Sequence, residues 1–183
     1  MSVTRAKKLL DNVLKLQEKY NSEAFRYLYD ELSPKLYYVC LRYMKDEAEA
    51  KDALQETFVI IYEKIDTFNG SGSFEGWAKK IAVRYCIHCL KKKKISTELK
   101  EYQTPFTEQK EFDIDLQEAH IKSQLKTALQ QLPDGFRTII NLYILEGYTH
   151  PEIAEMLNIN EGTSRSQLNR AKAALRKLIS ARK

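Results

Sequence analysis

Apolar residues recur along most of the chain at spacings of three and four positions, the period of an α-helix that packs one face against a core. In the first half of the chain, such stripes cover residues 25–32, 36–43, 54–65 and 74–88. A similar stripe in the second half covers residues 136–144. No segment alternates apolar and polar residues convincingly, as a half-buried strand would, so the pattern predicts an all-α fold.

Capping and breaking residues divide these stripes into separate helices. The Ser33-Pro34 pair predicts that one helix ends and another begins, because proline disfavours a helical residue before it and suits a first helical turn. Asp46 and Glu49 have the spacing of a capping box. The Asn-Gly-Ser-Gly-Ser stretch at 69–73 breaks the chain, and its last serine can cap the next helix. The apolar face predicted for that helix consists of Phe74, Trp77, Ile81, Tyr85 and His88.

The C-terminal part of the chain contains a second set of helical signals. The helix predicted from the last apolar stripe ends at Gly147, a residue typical of helix C-termini. Thr149 and Glu152 form a capping box for a short helix. After a tight turn at 158–160, a longer and more basic helix begins near Glu161. Two helices joined in this way are typical of a DNA-binding helix-turn-helix.

Charge is unevenly distributed along the 183 residues, whose formal net charge is +5. Residues 1–94 contain 18 basic and 13 acidic side chains, and residues 119–183 contain 10 basic and 5 acidic. Residues 95–118, with weak periodicity, contain 2 basic and 7 acidic. Two basic ends indicate contact with a polyanion, although a solvated surface with a charged linker explains the pattern equally well. We predict two small helical domains, 1–94 and 119–183, joined by an acidic flexible linker, the second a four-helix domain containing the helix-turn-helix.

Several protein classes are disfavoured by the composition. The 3 cysteines are irregularly spaced and do not form a disulfide framework. No apolar run approaches the ~18–20 residues that span a membrane, and the first residues lack the apolar core of a secretory signal. We therefore expect a cytoplasmic protein without membrane insertion.

Catalytic and metal-binding chemistry finds little support in the chain. Cys86, His88 and Cys89 invite a metal or redox hypothesis, but on a helix His88 points away from both cysteines and no second cluster completes a tetrahedral site. A thiol sensor remains open beside the simpler alternative that both cysteines pack the helix. We predict no catalytic residue, no metal site and no cofactor, and hence no enzyme.

The front of the last helix carries hydroxyl, amide and guanidinium groups, which suit base edges and phosphates in a major groove. We expect these side chains to be exposed and to contact DNA, although an ordinary helical hairpin with a polar outer face is the alternative. The predicted DNA-contacting residues are Thr163, Ser164, Arg165, Ser166, Gln167, Asn169 and Arg170.

Several motifs together resemble one family. The chain is similar to the small alternative sigma factors of the extracytoplasmic-function (ECF) group, part of the sigma-70 superfamily. Its motifs occur in the order and at the spacing of that family. The segments similar to region 2 are 52–58 and 74–82, and those similar to region 4 are 128–133, 146–157 and 161–171.

The resemblance implies a division of labour. Region 2 of such factors docks on the clamp helices of bacterial RNA polymerase and opens the −10 promoter element. Region 4 reads the −35 element and touches the polymerase flap. Core polymerase and promoter DNA are therefore the expected partners, and an anti-sigma factor is a further family expectation.

Roles for region 2 residues follow from their motif positions. The resemblance implies polymerase-core binding for Asp52, Gln55, Glu56 and Phe58, although without it a solvated acidic face beside a core Phe is the better interpretation. Contact with the −10 element is predicted for Phe68, Phe74, Trp77, Lys79, Lys80, Arg84, Lys91 and Lys92. The alternative for Phe74 and Trp77 is a structural role on the apolar stripe. Arg84 departs from the Asn that many family members carry there, which predicts a different −10 preference.

A protein of another class remains as the alternative. A helix-turn-helix regulator that binds DNA without polymerase explains residues 120–183. It leaves Trp77, the 55–58 stretch and the acidic linker without a function.

Overall fold

The computed structural model describes residues 3–19, 21–92, 125 and 127–180. Helices and turns account for this part of the chain, which contains no strand and confirms the all-α prediction. The predicted linker, 95–118, lies outside the described residues, so its flexibility stays a prediction. The chain divides into two compact units, Met1–Cys86 and Ile87–Lys183. No helix in the described part is long and apolar enough to cross a membrane.

Within residues 21–92 and 127–180, short loops connect consecutive helices. The first four are α1 (Val3–Lys19), α2 (Ser22–Tyr43), α3 (Glu47–Lys64) with a 3₁₀ turn at Ile65–Thr67, and α4 (Phe74–Lys92). After a short helical segment at 127–131 come α5 (Asp134–Ile140), a π-helical turn (Asn141–Leu145), α6 (His150–Leu157) and α7 (Glu161–Ser180).

The first unit is organised around α2, which packs against both α1 and α3. Asn21 caps α2, because its side-chain oxygen accepts hydrogen bonds from the backbone N–H groups of Glu23 and Ala24 at 2.9 and 3.0 Å. The predicted break at Ser33-Pro34 is wrong, since α2 continues through Pro34. Burial of apolar residues on both sides of the proline by α1 and α3 outweighs the lost backbone hydrogen bond.

Asp46 caps α3, as its side chain accepts hydrogen bonds from Ala48 N at 2.6 Å and Glu49 N at 3.3 Å.

The side chains of α3 and α4 that form the core are mostly small or branched. The buried face of α4 is rotated from the predicted one by one position, or about 100°. Trp77, Ile81 and Tyr85 are only partly buried, and His88 is exposed. The buried residues of α4 are Phe74, Ala78, Ala82, Val83, Cys86, Ile87 and Leu90.

The second unit departs from a regular helix at one point. The predicted helix over 136–144 ends as a π-helical turn, in which Glu146 N donates to Asn141 O at 2.9 Å, five residues back. The wider turn changes which residues face the core, so Leu142 is buried. Tyr143 and Ile144, predicted to lie on the apolar face, are exposed.

The helix-turn-helix is present as predicted. The predicted capping box of Thr149 and Glu152 is present, and in it the N–H of Thr149 donates to Glu152 Oε2 at 2.8 Å. Asn158 ends α6 in the left-handed conformation with φ of 55°, which asparagine tolerates better than most residues. Asn160 then accepts from Thr163 N at 2.6 Å and starts α7.

Candidate functional site

The front of α7 exposes only part of the polar set predicted from the sequence. Arg165 and Asn169 are exposed, and Ser166 and Arg170 are partly exposed. Arg165 and Asn169 are four residues apart, as are the adjacent Ser166 and Arg170, so all four side chains lie along one side of the helix. Their donors and acceptors suit the edges of bases and the phosphates of a DNA major groove.

Three predicted DNA-contacting side chains are buried instead. Thr163 is 8% exposed, and Ser164 and Gln167 are both 0% exposed. The prediction that they face solvent is wrong because the first turns of α7 pack against α5 and α6. Their side chains are therefore turned into the packed interior of the unit rather than outward.

His150, which no motif in the sequence singles out, forms a hydrogen bond to α7. His150 Nδ1 and Ser164 Oγ share a hydrogen bond of 2.9 Å. The imidazole also stacks on Tyr143, with ring centroids 4.6 Å apart. Burial, followed by the positive charge of Arg165, lowers the pKa of His150 below its usual value. The neutral imidazole therefore connects the π-helical turn, α6 and α7.

Arg165 is held by a neighbour on its own helix. Its guanidinium forms an ion pair with Glu161, one turn earlier. Both side chains are exposed, and pairs of this kind contribute little stability in water. Arg165 can therefore leave Glu161 and bind a phosphate or a guanine without a large loss of stability.

Basic side chains line the outer side of α4. Lys80, Arg84 and His88 are exposed and follow one another at intervals of four residues, so they share one helix face. Lys91 and Lys92, at the end of the helix, are exposed as well, and Lys79 is partly exposed. The basic residues predicted to contact DNA are thus accessible.

The aromatic residues beside them form a cluster of their own. Phe74 stacks on Trp77 with ring centroids 5.2 Å apart, and Phe68 contacts both rings at 5.2 and 5.6 Å. Phe68 and Phe74 are 7% and 4% exposed, so they are core residues in this conformation. Trp77 is partly exposed and is the aromatic ring of the three that a base can reach.

The loop before α4 has a defined shape. Ser73 Oγ accepts from Gly76 N at 3.0 Å, as expected for a helix cap. Gly70 and Gly72 have φ of +78° and +82°, a backbone region that favours glycine. Asn69 Oδ1 accepts from Ser71 N at 3.0 Å, which closes the turn between them.

An apolar groove of about 500 Å³ opens between α2 and α3. Tyr29 and Phe58 meet there with ring centroids 4.5 Å apart, and Phe25 and Tyr62 at 5.4 Å. Phe58, 3% exposed, is buried among the lining residues, while Val59 is 49% exposed. The groove is lined by Ser22, Phe25, Tyr29, Gln55, Phe58, Val59 and Tyr62.

The predicted polymerase-binding residues of α3 lie on and beside this groove. Gln55 and Phe58 line it, and Asp52 and Glu56 are exposed on the same helix. The carboxylates repeat at an interval of four residues and therefore share a helix face. The result is an apolar groove next to acidic groups, which suits a partner that presents apolar and basic side chains.

Comparison with known proteins gives the same two regions. The family model described as Sigma-70 region 2 matches residues 28–95, and that of Sigma-70, region 4 matches residues 122–175. The ECF RNA polymerase sigma factor SigW of Bacillus subtilis is 31% identical over 176 residues, covering 91% of this chain and 94% of the relative. The RNA polymerase sigma-H factor of Pseudomonas aeruginosa is 27% identical over 176 residues, covering 88% and 89%.

A solved structure shares the fold. It is the sigma factor RpoE in complex with the anti-sigma factor NepR from Bartonella quintana, with a TM-score of 0.53 and 20% identity. The match covers 85% of this chain and 96% of that chain. At this identity, the likeness shows the fold alone.

Proposed function

This chain belongs to the ECF sigma factors of the sigma-70 family, and from that premise we propose how its described residues divide the work of starting transcription. As an alternative sigma factor, it directs RNA polymerase to specific promoters. Residues 1–94 are proposed to bind core polymerase and to recognise and melt the −10 element. Residues 119–183 are proposed to recognise the −35 element, with 95–118 as the linker.

Polymerase-core binding is assigned to the groove between α2 and α3. Val59 and Tyr29 expose apolar surface at the groove, and removing such surface from water on docking is favourable. Asp52 and Glu56 stand beside it and attract basic groups on the partner. Gln55 lines the groove and can hydrogen-bond across the interface. The clamp helices of the polymerase are the proposed partner surface.

Recognition of the −10 element is assigned to α4. Lys80 and Arg84 are exposed for phosphate contacts, and Lys79, Lys91 and Lys92 extend the basic surface. Trp77 is the proposed stacking residue for an unpaired base. Phe68 and Phe74 support Trp77 by packing against it, which replaces the direct base contact predicted for them.

The chain has no recognisable means of driving promoter opening with nucleotide hydrolysis. Opening about ten base-pair steps at ~1.4 kcal/mol each requires on the order of 14 kcal/mol. The glycine-containing stretch at 69–73 lacks the Lys-Ser/Thr pair of a P-loop. Binding energy, shared with the polymerase, is therefore proposed to drive melting, without catalysis by this chain.

Recognition of the −35 element is assigned to the exposed side of α7. Asn169 is proposed to read a base and Arg165 to contact a phosphate or a guanine, and Ser166 and Arg170 are proposed to contact the backbone or neighbouring bases. The buried Ser164 and the other two buried polar residues are proposed to position the helix. The polymerase flap is a further proposed partner of this unit.

Regulation and location extend the same proposal. The structural relative RpoE is a sigma factor in complex with the anti-sigma factor NepR, and we propose that an anti-sigma factor binds this chain too. Because it acts with RNA polymerase, the proposed site of action is the bacterial cytoplasm. The observation that carries the proposal is the occurrence of both sigma regions, in order, on one chain with a docking groove and a helix-turn-helix.

Transcription in vitro tests the proposal. Purified bacterial core polymerase and this protein would be incubated with fragmented genomic DNA of the host, and RNA start sites mapped by sequencing. Protein-dependent starts that share two spaced upstream motifs are expected. Absence of binding to core polymerase, with retained binding to DNA, would instead favour the regulator that acts without polymerase.

A further inference from the structure

A side chain of α1 is hydrogen-bonded to the segment that leads from α3 into α4. The side-chain nitrogen Nε2 of Gln17 lies 2.7 Å from the carbonyl oxygen of Ile65 and 3.1 Å from that of Phe68. A glutamine amide carries two N–H donors, so this one nitrogen donates a hydrogen bond to each carbonyl. The two contacts span 48 and 51 positions of the sequence and are partly buried. They join the first helix of the unit to the 3₁₀ turn after α3.

Both carbonyls lie where the chain leaves the 3₁₀ turn. Ile65 O also accepts from Phe68 N at 3.1 Å, which closes the turn. Carbonyl groups at the end of a helix lack partners within the helix and depend on other groups, a need that the Gln17 amide meets. Because α1 packs against the same turn, the amide is held in place by a helix. The contact therefore fixes the backbone of Phe68 to α1.

The loop that follows Phe68 contains residues with wide backbone freedom. Gly70 and Gly72 have positive φ and are exposed. Glycine is the least restricted residue, so a loop of this composition does not by itself fix the distance between Phe68 and the start of α4. The cap formed by Ser73 holds the far end of the loop on α4. Gln17 provides the corresponding restraint at the near end.

The ring of Phe68 connects this restraint to Trp77. Phe68 is 7% exposed, and its ring centroid lies 5.6 Å from that of Trp77 and 5.2 Å from that of Phe74. Phe74 also stacks on Trp77. Because protein interiors are closely packed, a shift of the Phe68 backbone moves its ring against Trp77. The orientation of the partly exposed Trp77 ring therefore depends on how Phe68 is held.

We propose that Gln17 is a positioning residue for recognition of the −10 element. Its side-chain amide holds the Phe68 backbone, and the Phe68 ring holds Trp77 in the orientation that stacks on an unpaired base. Gln17 acts through Phe68 and does not itself contact DNA. This inference rests on the role proposed above for Trp77 and extends it to α1, a helix that contains none of the residues assigned to the −10 element. The alternative is a purely structural role, limited to joining α1 to the rest of the unit.

Tryptophan fluorescence of the full-length protein tests the positioning without any assay of function. Trp77 is the only tryptophan of the chain, so quenching by acrylamide reports the exposure of this one ring. Gln17→Met keeps the length of the side chain but removes both donors, and Gln17→Glu replaces them with a carboxylate that only accepts. We expect both variants to shift the emission of Trp77 to longer wavelength and to increase its quenching.

Two results would overturn the proposal. One is unchanged Trp77 fluorescence in folded Gln17→Met. The other is a change confined to Gln17→Glu, because an added charge, and not the loss of the donors, would then be its cause.

Asn12 provides the matched control on the same helix. Its side-chain nitrogen donates to Lys8 O at 2.8 Å, so its amide bonds within α1 and not to the 3₁₀ turn. Asn12→Leu and Asn12→Asp make the same kinds of chemical change and should leave Trp77 fluorescence as it is. Urea unfolding followed by circular dichroism establishes that each variant is folded at the temperature of the fluorescence measurement.

Nuclear magnetic resonance tests the hydrogen bonds in the unmodified protein, even where Gln17→Met fails to fold. Both side-chain amide protons of Gln17 are expected to exchange with solvent several-fold more slowly than the faster of the two Asn12 protons. Exchange of a Gln17 proton as fast as that Asn12 proton would contradict the double contact on which the proposal depends.

A double-mutant cycle tests the consequence for promoter opening. Open complexes formed with core polymerase at a mapped promoter would be measured with permanganate, which oxidises unpaired thymines. Gln17→Met should reduce the open fraction about two- to tenfold, as expected for one hydrogen bond, while affinity for core polymerase stays the same. In a Trp77→Ala background the same substitution should have no further effect, because the residue through which Gln17 acts is then absent.

The outcomes separate the positioning role from the proposed function. Equal losses of open complex in the two backgrounds would establish the purely structural role and overturn the proposal. If the unmodified protein bound core polymerase but opened no promoter, the proposed function would be contradicted. The fluorescence of the free protein would still decide whether Gln17 positions Trp77.

Discussion

His150 Nδ1 lies 2.9 Å from Ser164 Oγ, and this hydrogen bond joins the first helix of the helix-turn-helix to the second. Ser164 is fully buried, so its hydroxyl depends on partners inside the protein. Tyr143 stacks on one face of the imidazole and so helps to hold it in place. The angle at which α7 presents Arg165 and Asn169 therefore depends on His150, a residue of another helix.

His150 is partly exposed, but replacing it should weaken DNA binding more than replacing an ordinary surface residue. His150→Ala leaves Ser164 without its imidazole partner, and we expect about a five- to tenfold loss of affinity for the −35 element, or ~1–1.4 kcal/mol. His150→Asn, which places an amide near the Nδ1 position, should recover most of the loss. Fluorescence anisotropy with a duplex containing the mapped −35 element measures both variants. An equal loss of affinity in His150→Ala and His150→Asn would contradict a positioning role for this hydrogen bond.

The same histidine predicts a pH dependence of stability. Its pKa is lower in the folded protein than the usual 6.5, so the unfolded chain binds the proton more readily. The stability contribution of the neutral imidazole is complete above about pH 6.5 and is lost as the pH falls through the lowered folded pKa. The difference in unfolding free energy between the protein and His150→Ala should therefore shrink on acidification. Urea unfolding between about pH 7.5 and 5 checks this, and a constant difference would contradict it.

Arg165 and Asn169 should differ in what they contribute to promoter recognition. Asn169→Ala should relax sequence preference at one −35 position by about 1–3 kcal/mol. Arg165→Ala should weaken binding and reduce the salt dependence of affinity by about one unit of slope if it contacts a phosphate. Lys177 is exposed near the end of the same helix, so Lys177→Ala is the matched control. It should not change the sequence preference at any −35 position. Titrations of wild-type and mutated −35 duplexes at several salt concentrations separate these outcomes.

The docking groove can be tested with two matched substitutions. Val59 and Leu14 are 49% and 48% exposed, but only Val59 lines the groove. Val59→Glu should reduce affinity for core polymerase by about tenfold, or ~1.4 kcal/mol, because a charge must then be desolvated at the interface. Leu14→Glu should leave it unchanged. Both should keep the unfolding free energy within ~0.5 kcal/mol. If Val59→Glu and Leu14→Glu reduced polymerase affinity equally, the groove would not be part of the docking surface.

Arg137 should matter for stability rather than for DNA binding. Its side chain is 2% exposed and donates to Asp134 Oδ1 at 2.8 Å and to Leu132 O at 3.2 Å. Arg137→Ala should lower the free energy of unfolding by about 2–4 kcal/mol, because these buried acceptors lose a charged donor. Arg165→Ala, which removes an exposed ion pair, should cost about 0.5 kcal/mol or less. Urea unfolding measures the free energy of unfolding of both variants. Similar losses of unfolding free energy in the two would contradict this prediction.

Local signals in the sequence were enough for the helix-turn-helix and for most helix starts. The caps at Asp46, Ser73 and Thr149 are local, since each side chain binds backbone two or three residues away. Periodicity failed where geometry changed within a helix. The π-helical turn turned Tyr143 outward, and a core built on small residues rotated the buried face of α4 away from Trp77.

Long-range contacts could not be read from the chain. Ser164 looked like a surface residue because its partner, His150, is fourteen positions away and on another helix. The groove between α2 and α3 likewise combines residues that no single motif contains, and only Gln55 and Phe58 were found from the sequence.

The most direct test of the account is the permanganate reactivity of thymines in the −10 region of a mapped promoter. This reagent oxidises unpaired thymines, so it reports strand opening itself. The account predicts reactivity when core polymerase and this protein are both present, without a hydrolysable nucleotide, and none with either alone. Promoters that stay unreactive although the protein binds core polymerase would contradict it.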